Sequence, residues 1–155
     1  MCNLCETIEK SLAGENPFFV KELETGIVIL GWNHHFYGYT LFICKKHATE
    51  LYELDKSFRA KFMEEMIIVA KAVSTAFDCD KMNYECLGNG DCHLHWHLFP
   101  RVFGDLGDYG NDGKGPVWWL PKEIMWNNDN IPNEQELEDM KVKLFEELNK
   151  YIING

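Results

Sequence analysis

Residues Cys92 to Arg101 read Cys-His-Leu-His-Trp-His-Leu-Phe-Pro-Arg, with His93, His95 and His97 at strict two-residue spacing. Alternation with Leu94, Trp96 and Leu98 predicts a β-strand, with the three imidazoles on one face and the apolar partners on the other. At about 3.3 Å of rise per residue, neighbouring histidines lie roughly 6.6 Å apart and the outer two roughly 13 Å. Zn–N bonds of about 2 Å cannot gather the outer two rings onto one metal, so the three hold different jobs. Two chemistries suit such a strand. Neutral imidazole is a nucleophile at phosphorus near neutral pH, and it is also a metal ligand. A second motif lies near the start of the chain, where Cys2-x-x-Cys5 has the spacing that lets two thiolates reach one tetrahedral zinc. A zinc shared by His93 and His95 would instead make an open, water-activating centre. The plain readings are a polar sheet face in solvent and a frayed terminus.

The elements that must position these groups are legible in outline. Residues 18–23 and 26–32, separated by Glu24-Thr25, read as a hairpin, and 39–44, 81–87 and 94–102 supply three more strands. Asp55 is set to cap a long helix carrying Phe58, Phe62, Met66, Val69, Val73 and Phe77 at helical spacing. Asn133, with Glu136 at the capping-box position, opens a C-terminal helix whose stripe is Leu137, Met140, Leu144, Leu148 and Ile152. Hairpin strands with segregated helices predict an α+β domain. Residues 104–115, rich in Gly, Asp and Asn, read as a long mobile loop beside the histidine strand. Cys44, Cys79, Cys86 and Cys92 read as buried thiols on or near strands.

Composition bounds the function. The 155 residues are one domain's worth, and 46% hydrophobic content supplies a core. No apolar run is long enough to span a membrane, and the N-terminus has no secretory pattern, so the expected compartment is the cytoplasm, with reduced thiols or a metal site rather than disulfides. A net charge of −10 argues against bulk nucleic acid as a partner. It leaves room for a small phosphorylated ligand, which needs only a local donor site.

The strand resembles the signature of the histidine triad (HIT) family of nucleotide hydrolases and transferases, His-φ-His-φ-His-φ-φ with φ apolar. Leu94, Trp96, Leu98 and Phe99 fill every φ position, and Pro100-Arg101 continues the pattern. Gly38-Tyr39, the run from Thr40 to Cys44 and Lys45-Lys46-His47 resemble the family's second strand and its lysine-rich exit. Asn83-Tyr84-Glu85 with Leu87-Gly88-Asn89 resembles the strand and turn before the triad, and Gly115-Pro116-Val117-Trp118-Trp119 resembles a tail of one bacterial-type branch. The likeness spans residues 1–120, with 121–155 as a C-terminal helical extension of the same single domain, 1–155. It implies a sheet of about five antiparallel strands backed by a long helix and a C-terminal helix, and a homodimer.

The resemblance also implies roles. Cys2, Cys5, His47 and His93 would hold a structural zinc, a closed site with no place for catalytic water. His95 would be the nucleophile at an α-phosphate. His97 would bind a non-bridging oxygen, although no partner for its other nitrogen is evident in the sequence. Asn89 and Asn83 would shape the phosphate site, and Asn33, where many members carry an acid, would meet the ribose. Arg101 and Trp118-Trp119 are open between ligand and structural roles. The chain departs from the pattern at Tyr37 and Cys44, where proline is common, and at Gly90-Asp91. The implied activity is hydrolysis of a dinucleoside polyphosphate, such as a diadenosine polyphosphate, or a nucleoside phosphoramidate to a nucleoside monophosphate. The alternatives are nucleotidyl transfer and a zinc-stabilised nucleotide-binding module with little turnover.

Overall fold

The computed structural model describes residues 2–107 and 114–153. A helix, α1 (Asn3–Leu12), precedes the hairpin of β1 (Phe19–Glu22) and β2 (Gly26–Leu30), which continues into β3 (Thr40–Cys44). The long helix α2 (Lys56–Phe77) crosses to β4 (Lys81–Glu85), and β5 (His95–Arg101) follows. A short helix, α3 (Lys122–Met125), and the terminal α4 (Glu134–Ile153) complete the chain. The five strands form one antiparallel sheet, as the resemblance implies, in the order β1-β2-β3-β5-β4.

Helices α2 and α4 cover one face. Both begin as their sequences require: the Asp55 carboxylate accepts from Phe58 N–H at 3.0 Å, and Asn133 and Glu136 form a reciprocal capping box. Their stripes meet Val28, Leu30, Phe42, Met82, Leu94 and Leu98 of the sheet in the main core. Ile152, expected in the α4 stripe, is exposed instead. Cys92 is likewise exposed rather than buried. The opposite face is divided. Ile8 of α1 packs on Ile27, Ile29 and Ile43. Leu106, Val117, Leu120 and Met125 pack on Phe36, Tyr39 and Phe99.

The histidine face therefore lies against this second layer, with Leu94, Trp96 and Leu98 turned to the helices. Helix α1 went unread in the sequence, although Leu4 and Ile8 lie one turn apart on its inner face. The loop expected over residues 104–115 falls in large part outside the described residues.

One buried carboxylate ties the two layers of the main core. Glu65 on α2 is 5% exposed and accepts from the backbone N–H of Glu24 at 3.1 Å and of Thr25 at 2.9 Å, as well as from the Thr25 hydroxyl. It satisfies the β1–β2 turn from below. Glu65→Ala leaves those donors buried without an acceptor and is expected to cost about 3 kcal/mol, measured by urea denaturation.

Candidate functional site: a thiol–imidazole cluster beside a histidine pair

The first turn of α1 brings Cys2 and Cys5 to one side of the helix, since residues three apart are neighbours there. His47 follows the exit of β3, and His93 leads into β5. The four ligand atoms lie within 4.8 Å of one another. Cys2 Sγ is 3.4 Å from His93 Nδ1, Cys5 Sγ is 3.5 Å from the same nitrogen, and Cys5 Sγ is 3.4 Å from His47 Nδ1. Bonds of about 2.3 Å to sulfur and 2.0–2.1 Å to nitrogen, at tetrahedral angles, separate S and N by about 3.5 Å. Those three sulfur–nitrogen contacts match a four-coordinate metal, and two thiols with two imidazoles are a donor set that suits one.

The fit extends beyond the ligand atoms. His93 is fully buried, and its Nε2 lies 2.6 Å from the Cys44 carbonyl oxygen. A carbonyl only accepts, so Nε2 carries the proton and Nδ1 offers its lone pair to the cluster. Burial holds the His93 ring below the ordinary histidine pKa, against the Cys44 hydrogen bond.

His95 and His97 turn away from that cluster and towards each other. Their Nε2 atoms are 2.9 Å apart, with ring centroids at 4.6 Å, although strand spacing separates their backbones far more widely. His95 Nδ1 lies 2.6 Å from the carbonyl oxygen of His93. That oxygen too can only accept, so neutral His95 holds its proton on Nδ1 and its lone pair on Nε2. With both nitrogens so engaged, His95 does not join His93 on a shared metal. His95 borders a cavity of about 390 Å³ whose lining includes Thr49, Glu50, Cys86 and Cys92.

The remaining partner of His97 is one that sequence reasoning missed. Tyr39 places its phenolic oxygen 2.6 Å from His97 Nδ1, with the two rings parallel within 5°. The register explains the meeting: Leu41 pairs with His97, so Tyr39, two residues back, shares that face. Gly38 makes the approach possible. It sits at φ +87°, and a Cβ there would lie 2.3 Å from the Phe77 ring. Burial, with the charge of His95, holds His97 down at about 4, and burial pushes the Tyr39 phenol well above its ordinary value.

The asparagines are placed differently from one another. Asn33 is 2% exposed; its amide donates to the Asn127 carbonyl at 2.8 Å and its oxygen accepts from His35 N–H at 3.1 Å. Asn83 accepts from Arg101 at 2.8 Å. Asn89 is exposed on the turn before His93. Arg101 is buried and spends its guanidinium within the chain, gripping Asp105 through two hydrogen bonds of 2.7 Å and reaching the Gly115 carbonyl at 3.2 Å. Asp91 points to Asn3 of α1, at 3.0 Å, rather than to the pair. The Trp118 indole donates to Glu85 at 2.5 Å and stands edge-on to His97, with centroids 6.3 Å apart.

The HIT domain family matches residues 16–104, more than half of the chain, and the protein belongs to that family. The fold is that of solved bacterial histidine triad proteins. One from Marinobacter aquaeolei VT8 is 24% identical with a TM-score of 0.71, covering 97% of this chain and 98% of its own. One from Sinorhizobium meliloti 1021 is 21% identical with a TM-score of 0.72, covering 95% and 97%. A Zn-bound histidine triad family protein from Mycobacterium smegmatis is 18% identical with a TM-score of 0.63, covering 99% and 97%. No curated protein sequence matches the chain.

The donor set yields a direct expectation. Purified wild type should carry about one tightly held metal per chain, as a closed four-ligand site does. Cys5→Ser should lose it, read by elemental analysis of the dialysed protein.

Proposed function

We propose that this protein is a nucleotide hydrolase that cleaves at an α-phosphate and releases a nucleoside monophosphate. One observation carries the reading. His95 has its proton pinned by a carbonyl, its lone pair on Nε2, and a cavity at its side. Attack by Nε2 on the α-phosphorus forms a P–N bond and breaks the bond to the leaving group. The ring is then cationic, and its Nδ1–H remains bonded to the His93 oxygen, which stabilises that charge. Water next attacks phosphorus, the P–Nε2 bond breaks with its electron pair returning to His95, and the surplus proton of the water passes to solvent. His97 holds a non-bridging oxygen through Nε2. The substrates that suit this chemistry are dinucleoside polyphosphates and nucleoside phosphoramidates.

The cluster of Cys2, Cys5, His47 and His93 is read as a structural zinc site. Zinc there would anchor α1 to the start of β5. Six free cysteines suit a reducing compartment such as the cytoplasm. Among the described residues, no helix is long and apolar enough to cross a membrane. Asn89, on the turn before His93, and Asn83 are the amides assigned to the phosphate site. Asn33, held by the Asn127 carbonyl and His35 N–H, is the residue assigned to the ribose hydroxyls.

The decisive experiment incubates wild type and His95→Ala with diadenosine polyphosphates and adenosine phosphoramidate and follows monophosphate release. Wild type is expected to turn over and the variant to lose at least about a thousandfold, as removal of a covalent nucleophile does. Turnover that survives His95→Ala would end the assignment. Transfer of the nucleotide to an added phosphate acceptor would mark a transferase, and binding without turnover a binding module.

We also infer a homodimer. Among the described residues no strand pairs with the β4 edge of the sheet, which carries Tyr84 and lies beside the almost wholly exposed Phe103. Sedimentation equilibrium is expected to return twice the chain mass, and Tyr84→Lys with Phe103→Glu to lower it towards one.

A further inference from the structure

We propose that Tyr39 is a positioning residue that sets the proton arrangement of the histidine pair, donating its phenolic hydrogen to His97 Nδ1 so that His97 Nε2–H points at the lone pair of His95. The catalytic meaning of this rests on the hydrolase reading above; the arrangement itself does not.

The His93 carbonyl has no hydrogen, so the 2.6 Å contact to His95 Nδ1 requires the proton on that nitrogen. His95 Nε2 is then bare. Its 2.9 Å contact with His97 Nε2 is a hydrogen bond only if His97 supplies the proton. That leaves His97 Nδ1 bare in turn, 2.6 Å from an oxygen that must donate to it. Every contact then has one donor and one acceptor, and no ring is charged. The opposite choice, with the proton on His97 Nδ1, sets two lone pairs face to face at 2.9 Å.

The surroundings favour the same assignment. Burial, with a smaller effect of the Glu85 charge, keeps the Tyr39 phenol protonated, and burial keeps His97 neutral. Tyr39 is also held in place mechanically. It stacks on Phe99 at 4.2 Å between centroids, with 2° between the planes, and lies parallel to His97 at 6.0 Å.

A functional consequence follows. In the resting protein the nucleophile's lone pair is masked by the His97 N–H. A phosphate oxygen is a charged and therefore stronger acceptor. When it arrives it draws that N–H to itself and leaves the lone pair of His95 free. The same hydrogen that masks the nucleophile would thus bind the substrate, and Tyr39 is what keeps it on the correct nitrogen.

The test reads imidazole tautomers by side-chain ¹⁵N NMR on the metal-loaded protein without substrate. Wild type is expected to show His95 as the Nδ1–H form and His97 as the Nε2–H form. Tyr39→Phe keeps the stacked ring and removes only the hydroxyl. It is expected to mix the His97 tautomers and to lower kcat for adenosine phosphoramidate about tenfold or more, with KM within about twofold. Replacing Tyr39 with 3-fluorotyrosine, which retains a donor, is expected to keep both the tautomer and the turnover; it decides the matter if the phenylalanine variant does not fold. A wild-type His97 carrying its proton on Nδ1, or a Tyr39→Phe spectrum identical to wild type, overturns the proposal. The expected tautomers in a protein that releases no monophosphate would instead sink the hydrolase reading and leave Tyr39 in its role.

Discussion

The peptide of His93 faces two ways, and the site depends on it. Its side chain joins the thiol cluster through Nδ1, while its own carbonyl oxygen receives the Nδ1 proton of His95. The residue that ends the metal-type cluster is therefore also the one that orients the neighbouring imidazole. The Cys44 carbonyl locks the ring from behind, and the Leu94 backbone pairs with Cys44 and Ala48 on either side. A rotation of this one peptide would displace both halves of the site together.

Much of this was legible in the residues because it follows from period and capping. Strict alternation from His93 to Phe99 separated a helix-facing row from a histidine row, and both long helices start at the caps their sequences announce. The ligand set was legible through resemblance, since Cys2 and Cys5 lie outside the matched family span and acquire meaning only with His47 and His93. What escaped was whatever depends on register or on a distant partner. Tyr39 meets His97 because Leu41 pairs with that histidine, and no local pattern states which residues of two strands are opposite. The Asn33 tie to Asn127 joins residues far apart in the chain. Helix α1 escaped because only Leu4 and Ile8 of its apolar residues join the core, too short a stripe to state a period.

Charge shows the same division between composition and placement. The chain carries a large negative excess, yet its one arginine beside the histidine strand is not offered to solvent. Arg101 is consumed by Asp105, Asn83 and the Gly115 carbonyl. Any attraction for an anionic ligand at the pair would thus fall to neutral N–H donors, which act at short range and respond little to salt. Such donors favour orientation over bulk attraction.

The grip of Arg101 on Asp105 and on Gly115 reaches further than the strand it sits on. One guanidinium gathers both ends of an intervening stretch at a single buried point. Variation in the length of that stretch is thereby decoupled from β5, since the strand sees only the clamped ends. Relatives, or engineered forms, can alter what lies between the two anchors without disturbing the histidine row. For a protein built around one finely placed pair of rings, changes between the anchors leave that pair where it is.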